Sequence, residues 1–202
     1  MVRVARPRRM AVDGDRQREL IVDAAERLLK EEGYAAISAR QVMSAAGLKA
    51  QLLYYYFKTM DDLMLAVVQR VNERRFERFQ KVLVSSNPLQ AIWELSSDPT
   101  GALLSAELIS LAGHHESIRQ HIIESAKAFR KLQTETLSRL LEGTGIDKSI
   151  YPAAGIVLIA SAVARIIGSE QSLGLTDGHK QAQAIIQHLI EQAGAEKRKK
   201  RR

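Results

Sequence analysis

Apolar and polar positions along this chain recur with the period of helices, not of strands. Ile21, Ala24, Ala25, Leu28 and Leu29 follow each other at three- and four-residue spacing, which places them on one helix face. Asp15 can cap that helix and Gly33 can end it, because glycine accepts the left-handed position after a helix. Ser38 with Gln41 forms a capping box, so a second helix starts at Ala39 and gives way at Gly47. A third runs from about Lys49 to Tyr56, and Thr59 with Asp62 opens a fourth that continues to about Val84. Its apolar face is Leu63, Val67, Val71 and Phe79. After a break at residues 85–88, helices are expected at about 88–97 and 99–113, each with proline in its first turn. A long helix spans about 116–142 and stops at Gly143 and Gly145; the next is capped by Asp147, holds Pro152 in its first turns and reaches about Leu173. A last helix covers about 178–193. The predicted fold is all-α, with about nine helices.

Charge divides the chain. The net charge of +7 splits into +4 over residues 1–60, −3 over 61–196 and +6 over 197–202. Basic ends on an acidic body suit a polyanion partner at the ends. Residues 1–14 hold Pro7 and Gly14 without an apolar period and are expected to be a disordered basic arm. Residues 195–202 are expected to be a disordered basic tail, either a solvated solubiliser or an arm on DNA. Between them lie a head over 15–60 and a larger body over 61–194. The absence of cysteine excludes disulfides and thiolate metal sites and is compatible with a cytoplasmic location, the one expected here. No apolar signal segment follows the N-terminus. The longest apolar run, residues 155–168, contains Arg165 and falls short of the roughly 20 residues of a membrane span. It is expected to be a buried helix, with no membrane partner.

Residues 33–63 carry the most specific chemistry. They read as two short helices around a glycine turn, the second rich in Tyr and Lys. That is the layout of a helix-turn-helix, whose second helix enters the DNA major groove. Val42, Leu48, Leu53 and Phe57 form the apolar set that would lock the third helix in place. Tyr54, Tyr55 and Tyr56 cannot all point inward, because successive helical residues fan out by about 100°.

The segments Ser38-Ala39-Arg40-Gln41-Val42, Ala45-Ala46-Gly47 and Leu53-Tyr54-Tyr55-Tyr56-Phe57-Lys58, ahead of Asp61-Asp62-Leu63, sharpen this reading. Through them residues 15–65 resemble the N-terminal domain of the TetR family of bacterial transcriptional regulators. Beyond residue 65 only helix order and lengths agree. The resemblance implies that Lys49, Ala50, Gln51 and Tyr55 face base edges, and that Ser38, Arg40, Tyr54, Tyr56 and Lys58 face phosphates. Gln51 can pair bidentately with adenine, worth about 1–3 kcal/mol of discrimination. Lys49, Leu52 and Met60 depart from the family's usual Ser, Ser or Thr, and Lys, which shifts individual contacts. One short helix reads few base pairs, so two heads roughly 34–36 Å apart on a palindrome are required, and hence a dimer.

The resemblance also assigns the body to ligand binding and dimerisation. Its last two helices would form the homodimer face, through Ile156, Ile159, Val163, Ile167, Ile185, Ile186 and Leu189. A small-molecule effector is expected between the long helices, lined by Trp93, Leu103, Leu104, Glu107, Leu108, Leu111, Phe129 and Arg165. Arg165, in an apolar helix, needs either an acidic partner such as Glu107 or Glu170 or an anionic ligand. His114, His115 and His121 have no metal spacing, and surface placement is expected for them. No phosphate loop, metal cluster or activated nucleophile is present in the sequence, so no enzyme, cofactor or catalytic residue is expected. The function implied is a sequence-specific, ligand-responsive dimeric repressor, released from a palindromic double-stranded operator by a largely hydrophobic effector. The alternative is an architectural or partner-controlled DNA-binding protein without an effector.

Overall fold

The Ser38 and Thr59 caps and the helix-ending glycines punctuate the chain where the sequence places them. The structure, a computed structural model, describes residues 8–199, with side chains from 14 to 193. Among these residues the fold is all-α: α1 (Arg8–Glu31), α2 (Ala39–Ala45), α3 (Leu53–Tyr56), α4 (Met60–Leu83), α5 (Pro88–Ser96), α6 (Pro99–His114), α7 (Glu116–Leu140), α8 (Ala153–Ser172) and α9 (His179–Lys199). Ser38 caps α2 by accepting the Gln41 N–H. Thr59 and Asp62 cap α4 reciprocally, each side chain accepting the other's backbone N–H at 3.0–3.1 Å.

Three boundaries differ from the sequence expectation. α1 starts at Arg8, so Asp15 lies inside the helix and does not cap it. Nothing between Pro7 and Asp15 breaks a helix except Gly14, and one interior glycine costs only about 1 kcal/mol. The expected disordered arm is therefore helical from residue 8, and residues 1–7 lie outside the described residues. α8 starts after Pro152, whose extended conformation precedes the first turn; Asp147 instead organises a separate turn, accepting from the Ser149 N–H at 2.8 Å. α9 runs on to Lys199, through most of the expected tail, and residues 200–202 lie outside the description.

The chain forms two compact units. The first comprises residues up to Val71 together with Glu107–His121, so α6 and α7 return to it after the chain has left along α4. Its core joins Ile21, Leu29, Val42, Met43, Leu53 and Leu63 with Leu111 and Ile118, all essentially without solvent contact. Each such aliphatic side chain contributes about 1.5–3 kcal/mol by leaving water.

The second unit comprises Asn72–Ala106 and residues from Ile122 onward. Trp93, Ala164 and Ile167 form a buried cluster against Val163, Ala182, Ile186 and Ile190. A second cluster sets the edges of Phe76 and Phe79 on Phe129, with ring centroids 5.1 and 5.2 Å apart. α8 is long and apolar enough to cross a membrane by length and composition alone. It packs on α5 and α9 through one face, while Ile159 and Ile166 on the other are 64% and 56% exposed. It is not the fully buried helix its composition suggests.

Gly168 lets α8 approach α6 closely. A Cβ there would lie 2.7 Å from the Ala102 Cβ and 3.3 Å from the Pro99 Cα. Gly168→Ala is expected to cost about 1–3 kcal/mol through this overlap, read as a lower Tm at about 2–4 °C per kcal/mol. Ala102→Gly in the same chain should recover most of the loss.

Candidate nucleic-acid interface and internal cavity

Gly47, with φ +69°, turns the chain out of α2. The Leu48 N–H returns to the Met43 carbonyl at 3.0 Å, satisfying the end of the helix. Lys49 is extended, residues Ala50–Leu52 make a 3₁₀ turn, and α3 adds one α-turn. The expected third helix is thus a composite. Leu53 and Phe57 are buried beneath it, and the Arg18 guanidinium lies 5.0 Å from the Phe57 ring centroid. Arg27 Nη2 donates to the Ala45 carbonyl at 3.2 Å, tying α1 to the end of α2. Arg70 holds α4 on α1 by donating to Glu19 and, at 2.5 Å, to Asp23.

On this support Lys49, Ala50, Gln51, Tyr54 and Tyr55 are exposed, as are Arg40 and Lys58. Tyr54 is 60% and Tyr55 79% exposed, with the Tyr55 ring in edge contact with Tyr56 at 4.9 Å between centroids. Ser38 and Tyr56 are engaged internally. The Ser38 hydroxyl donates to Gln41 Oε1 at 2.6 Å, and the Tyr56 hydroxyl donates to Gln17 Oε1 at 2.8 Å. Sequence reading did not find Gln17, which belongs to α1 and shares no local motif with Tyr56.

The connection from α1 to α2 is held by groups far away in sequence. Glu107 accepts the Tyr34 N–H at 2.8 Å, beside Gly33 at φ +77°. The Tyr34 hydroxyl lies 2.6 Å from His115 Nε2, and His115 Nδ1 lies 3.0 Å from Asp61. Burial raises the pKa of the Tyr34 phenol, and the Asp61 charge adds to the rise. His115 is therefore a structural hydrogen-bonding residue, not a simple surface histidine.

The second unit contains a cavity of about 400 Å³, within the range of small-molecule sites. Phe79, Ile92, Trp93, Leu137, Val157 and Ile190 form its apolar wall. Ile146 and Tyr151, from the segment between α7 and α8, close one side. Gln133, Ser161 and Gln192 supply uncharged polar groups, and Asp147 the one charged group of the lining among the described residues. Asp147 is fully exposed, and hydrogen bonds from Ser149 hold its pKa below the ordinary value.

Among the residues expected to line an effector site, Trp93 lies on this cavity. Glu107, Leu108 and Leu111 belong to the first unit, with Leu111 in its core. Leu103 is exposed, Leu104 half-buried, Phe129 stacked beneath Arg75, and Arg165 exposed. Of the residues expected at a dimer face, Ile159, Ile185 and Leu189 are exposed, Ile156, Val163 and Ile186 half-buried, and Ile167 lies in the unit's own core. Ile156, Ile186 and Leu189 also line the cavity.

Known proteins resemble this chain in sequence over its N-terminal part and in fold over most of its length. Residues 21–67 match the model of the family described as bacterial regulatory proteins, tetR family. A helix-turn-helix (HTH)-type transcriptional regulator in the dhlA 5′ region of Xanthobacter autotrophicus is 30% identical over 162 residues, 78% of this chain and 70% of that protein. The HTH-type transcriptional regulator PksA of Bacillus subtilis is 32% identical over 73 residues, 36% of each chain. In fold, a transcriptional regulator from Saccharomonospora viridis, solved in complex with choline, superposes with TM-score 0.73 at 18% identity, covering 88% of this chain and 96% of that one. The chain belongs to the tetR family of bacterial regulatory proteins and is a DNA-binding transcriptional regulator.

Proposed function

We propose that this regulator is a cytoplasmic, dimeric repressor that leaves a palindromic operator when a small, largely apolar effector fills the cavity of its second unit. The observation that carries this reading is the coexistence of two features in one chain. One is a rigid head with an exposed Lys49–Gln51 and Tyr54–Tyr55 edge, the other an apolar cavity of about 400 Å³. The choline complex of the Saccharomonospora relative shows that a regulator of this fold holds a small molecule. A cavity wall without a basic residue among the described residues favours a neutral apolar body.

Lys49, Ala50, Gln51 and Tyr55 then meet base edges, while Arg40, Tyr54 and Lys58 meet phosphates. Ser38 and Tyr56, whose hydroxyls already bond within the head, hold its geometry and offer phosphate their remaining capacity. The homodimer forms through the outer faces of α8 and α9, where Ile159, Ile166, Ile185 and Leu189 leave apolar surface open. By role, the reading head takes residues 15–60 and the effector and dimer body 61–194, although residues 61–71 and 107–121 of that body belong to the first compact unit.

The test is fluorescence anisotropy of the purified chain on DNA upstream of its own gene, against scrambled DNA, over a salt series. Preference for one palindromic fragment by about a thousandfold or more is expected. Equal, steeply salt-dependent binding to both would instead favour an architectural role. In the same assay Arg40→Ala and Lys58→Ala should weaken binding to every sequence and each lower the logarithmic salt slope by about 0.9. Gln51→Ala should instead relax preference at one base pair, by about 1–3 kcal/mol.

A further inference from the structure

Most polar side chains in the wall of the cavity already have partners. Ser96 Oγ donates to the Ile92 carbonyl of its own helix at 2.8 Å. Gln192 Nε2 lies 3.0 Å from His188 Nε2, and Asp147 accepts from the Ser149 N–H and hydroxyl. Tyr151 is 57% exposed, so bulk water serves its hydroxyl. Gln133 and Ser161 differ. Both are half-buried and line the cavity, and among the described residues neither side chain has a hydrogen-bond partner in the protein. A helical serine can bond a carbonyl one turn back, as Ser96 and Ser97 do. The Ser161 hydroxyl does not.

The positions of these two residues show what they serve. On α7 Gln133 precedes Leu137 by four residues, and on α8 Ser161 follows Val157 by four. All four line the cavity, so each polar residue takes a place in an apolar stripe that faces it. An amide or hydroxyl set in an apolar wall is costly unless it is hydrogen-bonded, and the partner here has to come from the cavity. Both groups are uncharged, and each offers a donor and an acceptor. The charged residues expected at an effector site stand elsewhere: Arg165 is exposed, and Glu107 accepts the Tyr34 N–H in the first unit. A charged group brought to Gln133 and Ser161 would give up its water for neutral partners, at a high cost. Asp147, the one charged residue of the described wall, is fully exposed, and solvent screens it.

We propose that Gln133 and Ser161 read a neutral oxygen function, a hydroxyl or a carbonyl, on an otherwise apolar effector. A hydroxyl donates to one of the two side chains and accepts from the other. A carbonyl accepts from the Gln133 amide, the Ser161 hydroxyl or both. The apolar remainder meets Phe79, Trp93 and Leu137. This selection rests on the cavity being the effector site.

Trp93 is the one tryptophan of the chain, and its place in the wall makes its fluorescence a report of occupancy. Titration of the full chain at neutral pH with 1-octanol, 2-octanone, octanoate and octylamine keeps the chain length and varies the head; cyclohexane is the apolar reference. Octanol and octanone are expected to bind saturably, about tenfold or more tighter than octanoate and octylamine. In the Gln133→Leu/Ser161→Ala double variant the affinity for both should fall about tenfold, in line with the loss of two neutral hydrogen bonds, while cyclohexane binds as before. Both substitutions put apolar side chains into an apolar wall. Without ligand the Tm should therefore equal or exceed that of the parent, so weaker binding cannot come from unfolding. Octanoate or octylamine binding as tightly as octanol, or unchanged octanol affinity in the double variant, overturns the proposal and leaves the cavity reading standing. Failure of every probe to bind saturably, cyclohexane included, overturns the cavity reading and the proposal with it.

Discussion

Replacing Ile159 and Ile185 with glutamate is expected to give a folded monomer that holds the operator roughly a thousandfold more weakly, the usual minimum gap between specific and non-specific binding. Both side chains are almost two-thirds exposed in the protomer, so the substitutions remove nothing from its core. In a two-fold dimer each residue occurs twice in the same interface. Every apolar side chain lost there forfeits about 1.5–3 kcal/mol, and the four introduced carboxylates would be desolvated without partners. A single head then remains, reading one half-site, without the second head that fixes spacing. Sedimentation velocity should show a monomer, far-UV circular dichroism an unchanged helical content, and anisotropy the loss of operator preference. A persisting dimer would place the interface elsewhere. A monomer with undiminished operator affinity would remove the need for a palindrome.

The fold was legible wherever the determinant was local. Gly33, Gly47 and Gly174 all adopt positive φ at helix ends, and the Ser38 and Thr59 caps start the helices that follow them. Start signals competed less clearly at α1 and α8. Asp15 and Asp147 both look like caps, but a cap acts only if the chain before it leaves the helix. Residues 8–14 continue α1, and Pro152 resets the start of α8.

The exposed tyrosine edge was legible for the same local reason. Consecutive tyrosines on one turn must diverge, and Tyr54 and Tyr55 face outward while Tyr56 turns to Gln17. The cavity was not legible, because its wall draws on α4, α5, α7, α8, α9 and the segment around Ile146 and Tyr151. No sequence period relates those positions. Glu107 and Arg165 were visible as charges on apolar stripes, yet long-range packing decided their partners and sent them to different units.

Gly33→Ala is expected to be the most damaging single substitution in the head, and its cost has two separable parts. The backbone at φ +77° is strained for any residue with a Cβ, by about 1–3 kcal/mol. The added Cβ would also sit 3.3 Å from both carboxylate oxygens of Glu107. That carboxylate cannot retreat without lengthening its 2.8 Å bond to the part-buried Tyr34 N–H, and losing a hydrogen bond to a charged group costs about 1.5–3 kcal/mol at most. Glu107→Ala alone should forfeit the same hydrogen bond without the backbone strain. The double variant should then cost less than the sum of the singles, with a coupling of about 0.5–3 kcal/mol, because one bond cannot be lost twice. Glu107→Gln keeps an acceptor oxygen and should stay closest to the parent. Denaturant unfolding of all four chains measures the cycle. Operator affinity should fall in the same order, since Gly33 and Tyr34 fix how the chain approaches the Ser38 cap of α2. Additive losses would mean that Glu107 does not carry the cost at Gly33, leaving backbone strain as the whole of it.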